Sequence, residues 1–119
     1  MSDYIIYHNP RCSKSRVALE MLRRHQIEPR IVEYLKSPPT VAELQALLAK
    51  LRLPPAALLR DSEPEYQQLQ LGRPGTTEAA VLDAIARHPI LLQRPIVVHG
   101  ARAVVGRPPE KVLELVAAG

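Results

Sequence analysis

The sequence has no tryptophan and no phenylalanine, and its only aromatic residues are four tyrosines. Its core must therefore be filled by Leu, Ile, Val and Ala, and it has few rings on which bases could stack. There is a single cysteine, Cys12, so no internal disulfide can form. That excludes the disulfide-stapled class of small secreted domains. No segment approaches the roughly 20 consecutive apolar residues of a membrane-crossing helix. No run of like charges marks a basic arm or an acidic tail. Neither a GxGxxG fingerprint nor a P-loop is present. The opening residues, MSDYIIYHNP, lack a charged leader followed by an apolar stretch, and so do not read as a signal peptide. These absences lead to the expectation of a cytoplasmic protein with no membrane and no nucleic-acid partner.

What is present fits one domain. A chain of 119 residues buries roughly two-thirds of the surface that its unfolded form exposes, enough for a core without a metal or disulfide staple. The net charge of +4 comes mainly from 12 Arg against four Lys. The planar guanidinium fork suits oxyanions. Because the charge is spread along the chain, small anions or a few acidic groups on a partner are the expected counterparts.

Tyr4 to Tyr7 reads as a short buried strand, and His8-Asn9-Pro10-Arg11 as a break, since Pro10 can continue neither a ladder nor a helix interior. Ser13 to His25 reads as a helix with Val17, Met21 and Arg24 near one stripe, flanked by Ala18 and Leu22. Ile31 to Leu35 reads as a second strand, so the opening is a strand–helix–strand unit suited to a parallel crossover. Thr40-Val41-Ala42-Glu43 matches a capping box, followed by apolar residues at helical spacing to Leu51. A short helical piece is expected near Ala56–Leu59, then a polar stretch from Arg60 to Leu71. A further helix is expected from a Thr76 or Thr77 cap to about His88. Pro95 to His99 and Arg102 to Val105 read as a hairpin around Gly100-Ala101, and Gly106-Arg107-Pro108-Pro109 starts a last helix. The expected architecture is an α/β fold: a four-stranded mixed sheet flanked by helices, with a helical insertion at about 40–90 between a βαβ and a ββα unit. Thioredoxin-like domains share this element order.

Cys12 falls at the strand-to-helix turn. The amides and partial positive charge of a helix N-terminus favour an anion there. His8, Arg11, Lys14 and Arg16 surround it in sequence, and each can favour the thiolate, the reactive form. In Cys12-Ser13-Lys14-Ser15 a serine stands where a CxxC redox pair has its second thiol. A lone thiol cannot resolve its own oxidised state, so a redox cycle needs an external thiol. Ser15 either donates to the sulfur or a bound anion, or is a polar residue of the first helical turn. A phosphatase-type Cys-x5-Arg loop fails, because Ala18 occupies the arginine position. His25, His88 and His99 lack metal-ligand spacing, and no metal or bound cofactor is indicated.

Tyr7-His8-Asn9-Pro10-Arg11-Cys12-Ser13-Lys14-Ser15-Arg16 resembles the active-site segment of the glutaredoxin-coupled arsenate reductases, the ArsC family. The likeness continues through Glu33-Tyr34-Leu35, Ala57-Leu58-Leu59-Arg60, His88-Pro89-Ile90-Leu91 and Arg94-Pro95-Ile96-Val97-Val98, and ends at Gly106-Arg107-Pro108. Ser13 and Lys14 depart from the smaller or uncharged residues at those positions in well-characterised members. The resemblance implies that Cys12 attacks arsenate, that His8 helps to keep it ionised, and that Arg60, Arg94 and Arg107 bind the anion. Pro95 is implied to be the cis-proline facing the cysteine. It also implies glutathione as co-substrate and glutaredoxin as partner. Two alternatives share the fold: a monothiol oxidoreductase acting on another substrate, and an Spx-like regulator that binds RNA polymerase. Ser15 counts against the redox-switch form of the second.

Overall fold

The structure, a computed structural model, describes residues 3–117. In chain order the elements are β1 (Tyr4–His8), α1 (Ser13–Arg24), β2 (Arg30–Glu33), α2 (Val41–Leu51), α3 (Pro64–Gln68), α4 (Glu78–Arg87), β3 (Ile96–His99), β4 (Arg102–Val105) and α5 (Leu113–Ala117). Turns of 3-10 helix lie at Pro55–Leu58, Pro89–Leu91 and Pro109–Val112. The chain divides into two compact units, Met1–Ser37 with Arg94–Gly119, and Pro38–Gln93.

The first unit holds the sheet, in the order β2-β1-β3-β4. β1 runs parallel to β2 and antiparallel to β3, and β4 is antiparallel to β3. This is the mixed four-stranded arrangement of the thioredoxin-like fold. β1 alternates, burying Tyr4, Ile6 and His8, as a period of two requires when one face is covered. On that face Tyr4 and Ile6 join Val97 of β3, Ala18, Leu19 and Leu22 of α1, and Val112 and Leu115 near the C-terminus in one core. Each fully buried aliphatic side chain contributes about 1.5–3 kcal/mol. His8 ends the same row, so the strand that builds the core also points its last side chain at the start of α1.

The helix stripe differs from the one the sequence suggests. α1 buries Ser15, Ala18, Leu19 and Leu22, whereas Val17 is 40% exposed. These four positions follow i, i+3, i+4, i+7 spacing. Apolar spacing finds Ala18 and Leu22 but centres the stripe on Val17 and Met21, because the first buried position is a serine. β3 starts at Ile96 rather than Pro95, which has no N–H to give to a ladder. The last helix opens later than expected, as a 3-10 turn at Pro109 that becomes α-helical at Leu113.

In the second unit Thr40 caps α2 as the sequence indicates. Its hydroxyl accepts from the Glu43 N–H at 3.1 Å while the Glu43 carboxylate accepts from the Thr40 N–H at 3.2 Å. Thr77 caps α4 through the Ala80 N–H at 3.1 Å. The polar stretch after Arg60 contains α3, which was not expected. Pro64 stands in its first turn, where a missing N–H costs nothing, and none of its residues is buried. The Arg60 N–H donates to the Leu91 carbonyl at 2.8 Å and the Gln93 N–H to that of Leu58 at 2.7 Å. None of the described helices is long and apolar enough to cross a membrane.

Gly106 closes the first unit tightly. Its N–H donates to the Pro95 carbonyl at 2.8 Å. A Cβ there would lie 2.9 Å from Cγ of Pro95 and 3.1 Å from Cγ1 of Val112. Gly106→Ala is therefore expected to destabilise the protein by about 1–3 kcal/mol, the usual cost of overpacking. Denaturant unfolding monitored by circular dichroism measures it, and an unchanged midpoint would show that the proline ring can yield.

Candidate active site

The site is built from the end of β1 upward. After His8 the chain turns at Asn9-Pro10-Arg11. The Asn9 side-chain oxygen accepts from the Arg11 N–H at 3.0 Å, a local turn typical of Asn before Pro. The Asn9 carbonyl accepts from the Cys12 N–H at 3.0 Å. Cys12 has extended backbone, φ −93° and ψ 121°, and is the N-cap residue of α1. Its carbonyl takes the first helical bond, from the Arg16 N–H at 3.0 Å.

The sulfur thus stands where a capping oxygen usually stands, before the free N–H groups of the first turn. It makes no capping hydrogen bond of ordinary geometry. The Ser15 and Lys14 N–H dipoles still act on it, as does the Arg94 guanidinium. Partial burial pushes the Cys12 thiol up. The Ser15 N–H, Arg94 and the Lys14 N–H together outweigh that and hold it below the ordinary cysteine value. Nε and Nη1 of Arg94 are buried and have no hydrogen-bond partner in the structure. Arg107 is tied to the main chain at Arg94: its Nη1 donates to the Arg94 carbonyl at 3.3 Å. The Arg94–Pro95 and Arg107–Pro108 peptide bonds are both cis.

His8, Asn9 and Ser15 are buried and form one network. The Ser15 hydroxyl lies 2.5 Å from Nδ1 of His8 and accepts from the Asn9 N–H at 3.1 Å. A hydroxyl that donates to Nδ1 and accepts from Asn9 satisfies all three groups, with the imidazole proton assigned to Nε2. Burial holds the His8 pKa below its ordinary 6.5; Glu33 opposes this, and Arg23 and Arg16 add to it. His8 is therefore neutral at pH 7. Its link to the cysteine runs through Ser15, whose hydroxyl meets Nδ1 and whose N–H acts on the sulfur. The sign for stability follows. As pH falls below 6.5 the unfolded chain takes up the proton more readily than the folded one. Stability tied to His8 is thus present above that pH and is lost on acidification.

The remaining residues singled out in the sequence fall in different places. The Ser15 side chain serves His8 and Asn9, and only its N–H faces the sulfur. Arg16 spans the turn, with Nη1 donating to the Pro10 carbonyl at 2.9 Å. Arg60 lies in the second unit. Its side chain is 15% exposed and pairs with Glu63 at 3.7 Å, while its Nη1 is buried without a hydrogen-bond partner. Asn9, which the sequence reading treated as part of a break, supplies three of the bonds that shape the turn. The Asn-Pro pair is a recognised turn starter and was the available signal.

A mixed sheet of this order, with a cysteine of lowered pKa at the N-cap position of its first helix and a cis-proline just before β3, defines a thiol-bearing protein of the thioredoxin-like class. The chain belongs to the ArsC family, which matches residues 7–115. It is 44% identical over 113 residues to an arsenate reductase of Neisseria meningitidis serogroup A, covering 94% of this chain and 97% of that one. It is 46% identical over 112 residues to the uncharacterized protein YfgD of Escherichia coli K12, covering 93% and 94%. The solved arsenate reductase of Vibrio cholerae superposes with a TM-score of 0.91 at 45% identity, over 93% of this chain and 95% of that one.

Alkylation of Cys12 by iodoacetamide, followed against pH, is expected to titrate below the roughly 8.5 of a free cysteine. Arg94→Ala removes a cation from the thiolate, so its midpoint moves up and its rate at pH 7 falls. Superimposable wild-type and Arg94→Ala profiles would remove Arg94 from the thiol's environment.

Proposed function

We propose that this protein is an arsenate reductase that works through the Cys12 thiolate, with glutathione as co-substrate, glutaredoxin as partner and no bound cofactor. The observation that carries the reading is the pairing of a depressed-pKa cysteine with an adjacent arginine whose Nε and Nη1 are buried and unpartnered. The similarity to arsenate reductases over nearly the whole chain supports it. A reducing cytoplasm suits such chemistry.

In the first step the Cys12 thiolate attacks arsenic. An S–As bond forms, and one arsenate oxygen leaves as hydroxide and is protonated to water. Arg60, Arg94 and Arg107 are assigned to the remaining oxygens, where fixed guanidinium groups stabilise charge as it moves. Glutathione then attacks the Cys12 sulfur. The S–As bond breaks, its electron pair stays on arsenic, and arsenic(V) becomes arsenic(III). The two thiol sulfurs supply those electrons and are left as a Cys12–glutathione disulfide. A glutaredoxin thiolate takes the glutathionyl group and releases Cys12. The absence of a second thiol in Cys12-Ser13-Lys14-Ser15 agrees with dependence on an outside reductant.

The test is arsenate-dependent NADPH oxidation coupled through glutathione, glutaredoxin and glutathione reductase. The expected rate requires arsenate, vanishes in Cys12→Ser, and drops by about 10²-fold or more in Arg94→Ala, as for a lost oxyanion donor. An absent rate with intact glutathionylation of Cys12 would favour the monothiol oxidoreductase acting on another substrate. Recovery of polymerase subunits with no thiol turnover would favour the regulator.

A further inference from the structure

Two cations next to Cys12 are left over from the chemistry described so far. Arg11 and Lys14 are exposed, and neither pairs with a carboxylate among the described residues. Three arginines of α1 and α4 do pair with carboxylates. Arg24 meets Glu20 at 2.8 Å, Arg23 meets Glu28 at 3.0 Å and Arg87 meets Asp83 at 3.1 Å. The first turn of α1 carries no acidic residue at all. Cations at a helix N-terminus oppose the helix dipole, so neither helix stability nor an internal partner accounts for them. Nor do their side chains account for the thiol's pKa, which responds to the Ser15 and Lys14 N–H groups and to Arg94. Arg16, the third cation of the segment, is already engaged with Pro10.

Arg30, Arg52, Arg102 and Lys111 are likewise exposed and without a carboxylate partner among the described residues, but Arg11 and Lys14 alone of these adjoin the nucleophile in sequence, where an incoming reactant must pass. Arg11 precedes the nucleophile directly, and Lys14 sits two residues after it on the first helical turn. Both are solvent-exposed, one on each side in sequence of a cysteine that is itself partly exposed. A thiol that approaches Cys12 with free carboxylates meets a surface that carries these two cations within two residues of the nucleophile in sequence. We infer that Arg11 and Lys14 recognise the carboxylates of the thiol co-substrate and select anionic thiols over neutral or cationic ones. This rests on the reading of Cys12 as a thiol that exchanges with an external thiol, and it identifies glutathione by its charge, since both of its carboxylates are ionised at neutral pH.

The test needs no arsenate. Cys12 is reacted with glutathione disulfide, which is anionic, hydroxyethyl disulfide, which is neutral, and cystamine, which is cationic. In each case the thiolate attacks one sulfur, a mixed disulfide forms, the original S–S bond breaks and one thiolate leaves. Rates are divided by those of free β-mercaptoethanol thiolate to remove intrinsic differences among the reagents. The wild-type protein is expected to favour the anionic reagent, with a preference that shrinks as salt is added. The double variant Arg11→Gln/Lys14→Gln is expected to reduce the anionic-to-cationic ratio by about five-fold or more, within the range of electrostatic steering. Arg94 keeps a residual preference in that variant. The rate with neutral hydroxyethyl disulfide reports folding and thiolate content, and Arg11→Lys/Lys14→Arg is expected to restore the ratio. An unchanged ratio in the double variant, with the neutral rate intact, overturns the inference. If the ratio falls but arsenate turnover is absent in wild type, the arsenate reading fails and the inference stands. If turnover is present but no anionic preference exists, the inference alone fails.

Discussion

The buried hydroxyl of Ser15 is the joint on which the cysteine's surroundings depend. One oxygen satisfies the Nδ1 of His8 from the end of β1 and the N–H of Asn9 from the turn, and it is held by the first turn of α1. Strand, turn and helix therefore meet on a single group that has no access to water. Removing it would leave a buried imidazole nitrogen and a buried amide unpaired, at about 1–3 kcal/mol each. The same contact fixes which way the helix starts, and so where its free N–H groups point. The chemistry at Cys12 is a consequence of that aim. A thiol placed a residue earlier would sit in the turn, and one placed a residue later would lie inside the helix, where its own N–H groups are turned away.

Two opposing effects act on the sulfur. Partial burial favours the neutral thiol, and oriented amides with the Arg94 guanidinium favour the anion. The second set wins because its members are fixed before the charge appears and need no reorganisation. His8 shows the opposite balance: it is buried deeper, gains only a modest attraction from Glu33, and stays neutral. A neutral imidazole can accept from a serine hydroxyl at Nδ1, which an imidazolium cannot. In this structure the histidine thus shapes the turn, and the arginine supplies the field.

Much of this was legible in the sequence because it is local. The strand–turn–helix at Tyr4 to Arg24, the Thr40 capping box and the hairpin at Gly100-Ala101 are written in short spacings of a few residues. The departures are also instructive. Hydrophobic spacing put Val17 inside and missed Ser15, since a buried serine satisfied by a histidine seven residues earlier looks like surface in a pattern of apolar residues. α3 hid in a polar stretch because a helix with no buried face carries no apolar period. Arg60, Arg94 and Arg107 could be nominated as anion-binding candidates only by resemblance. Nothing near Arg94 or Arg107 in the chain says that the guanidinium of one reaches the carbonyl of the other, a contact made across a hairpin.

The single thiol links these points to function. A protein with a second cysteine in the first helical turn can close its own disulfide and shield the reactive sulfur from solvent partners. Here that position is Ser15, and its side chain is turned inward to His8 rather than toward the sulfur. Replacing it with cysteine would have to break the network that aims α1, so the fold has committed that position to architecture. The oxidised state of Cys12 must then be relieved from outside. Cys12 is partly exposed, with Arg11 before it and Lys14 after it in sequence, neither paired with a carboxylate among the described residues, a setting that suits the proposed exchange with an external anionic thiol.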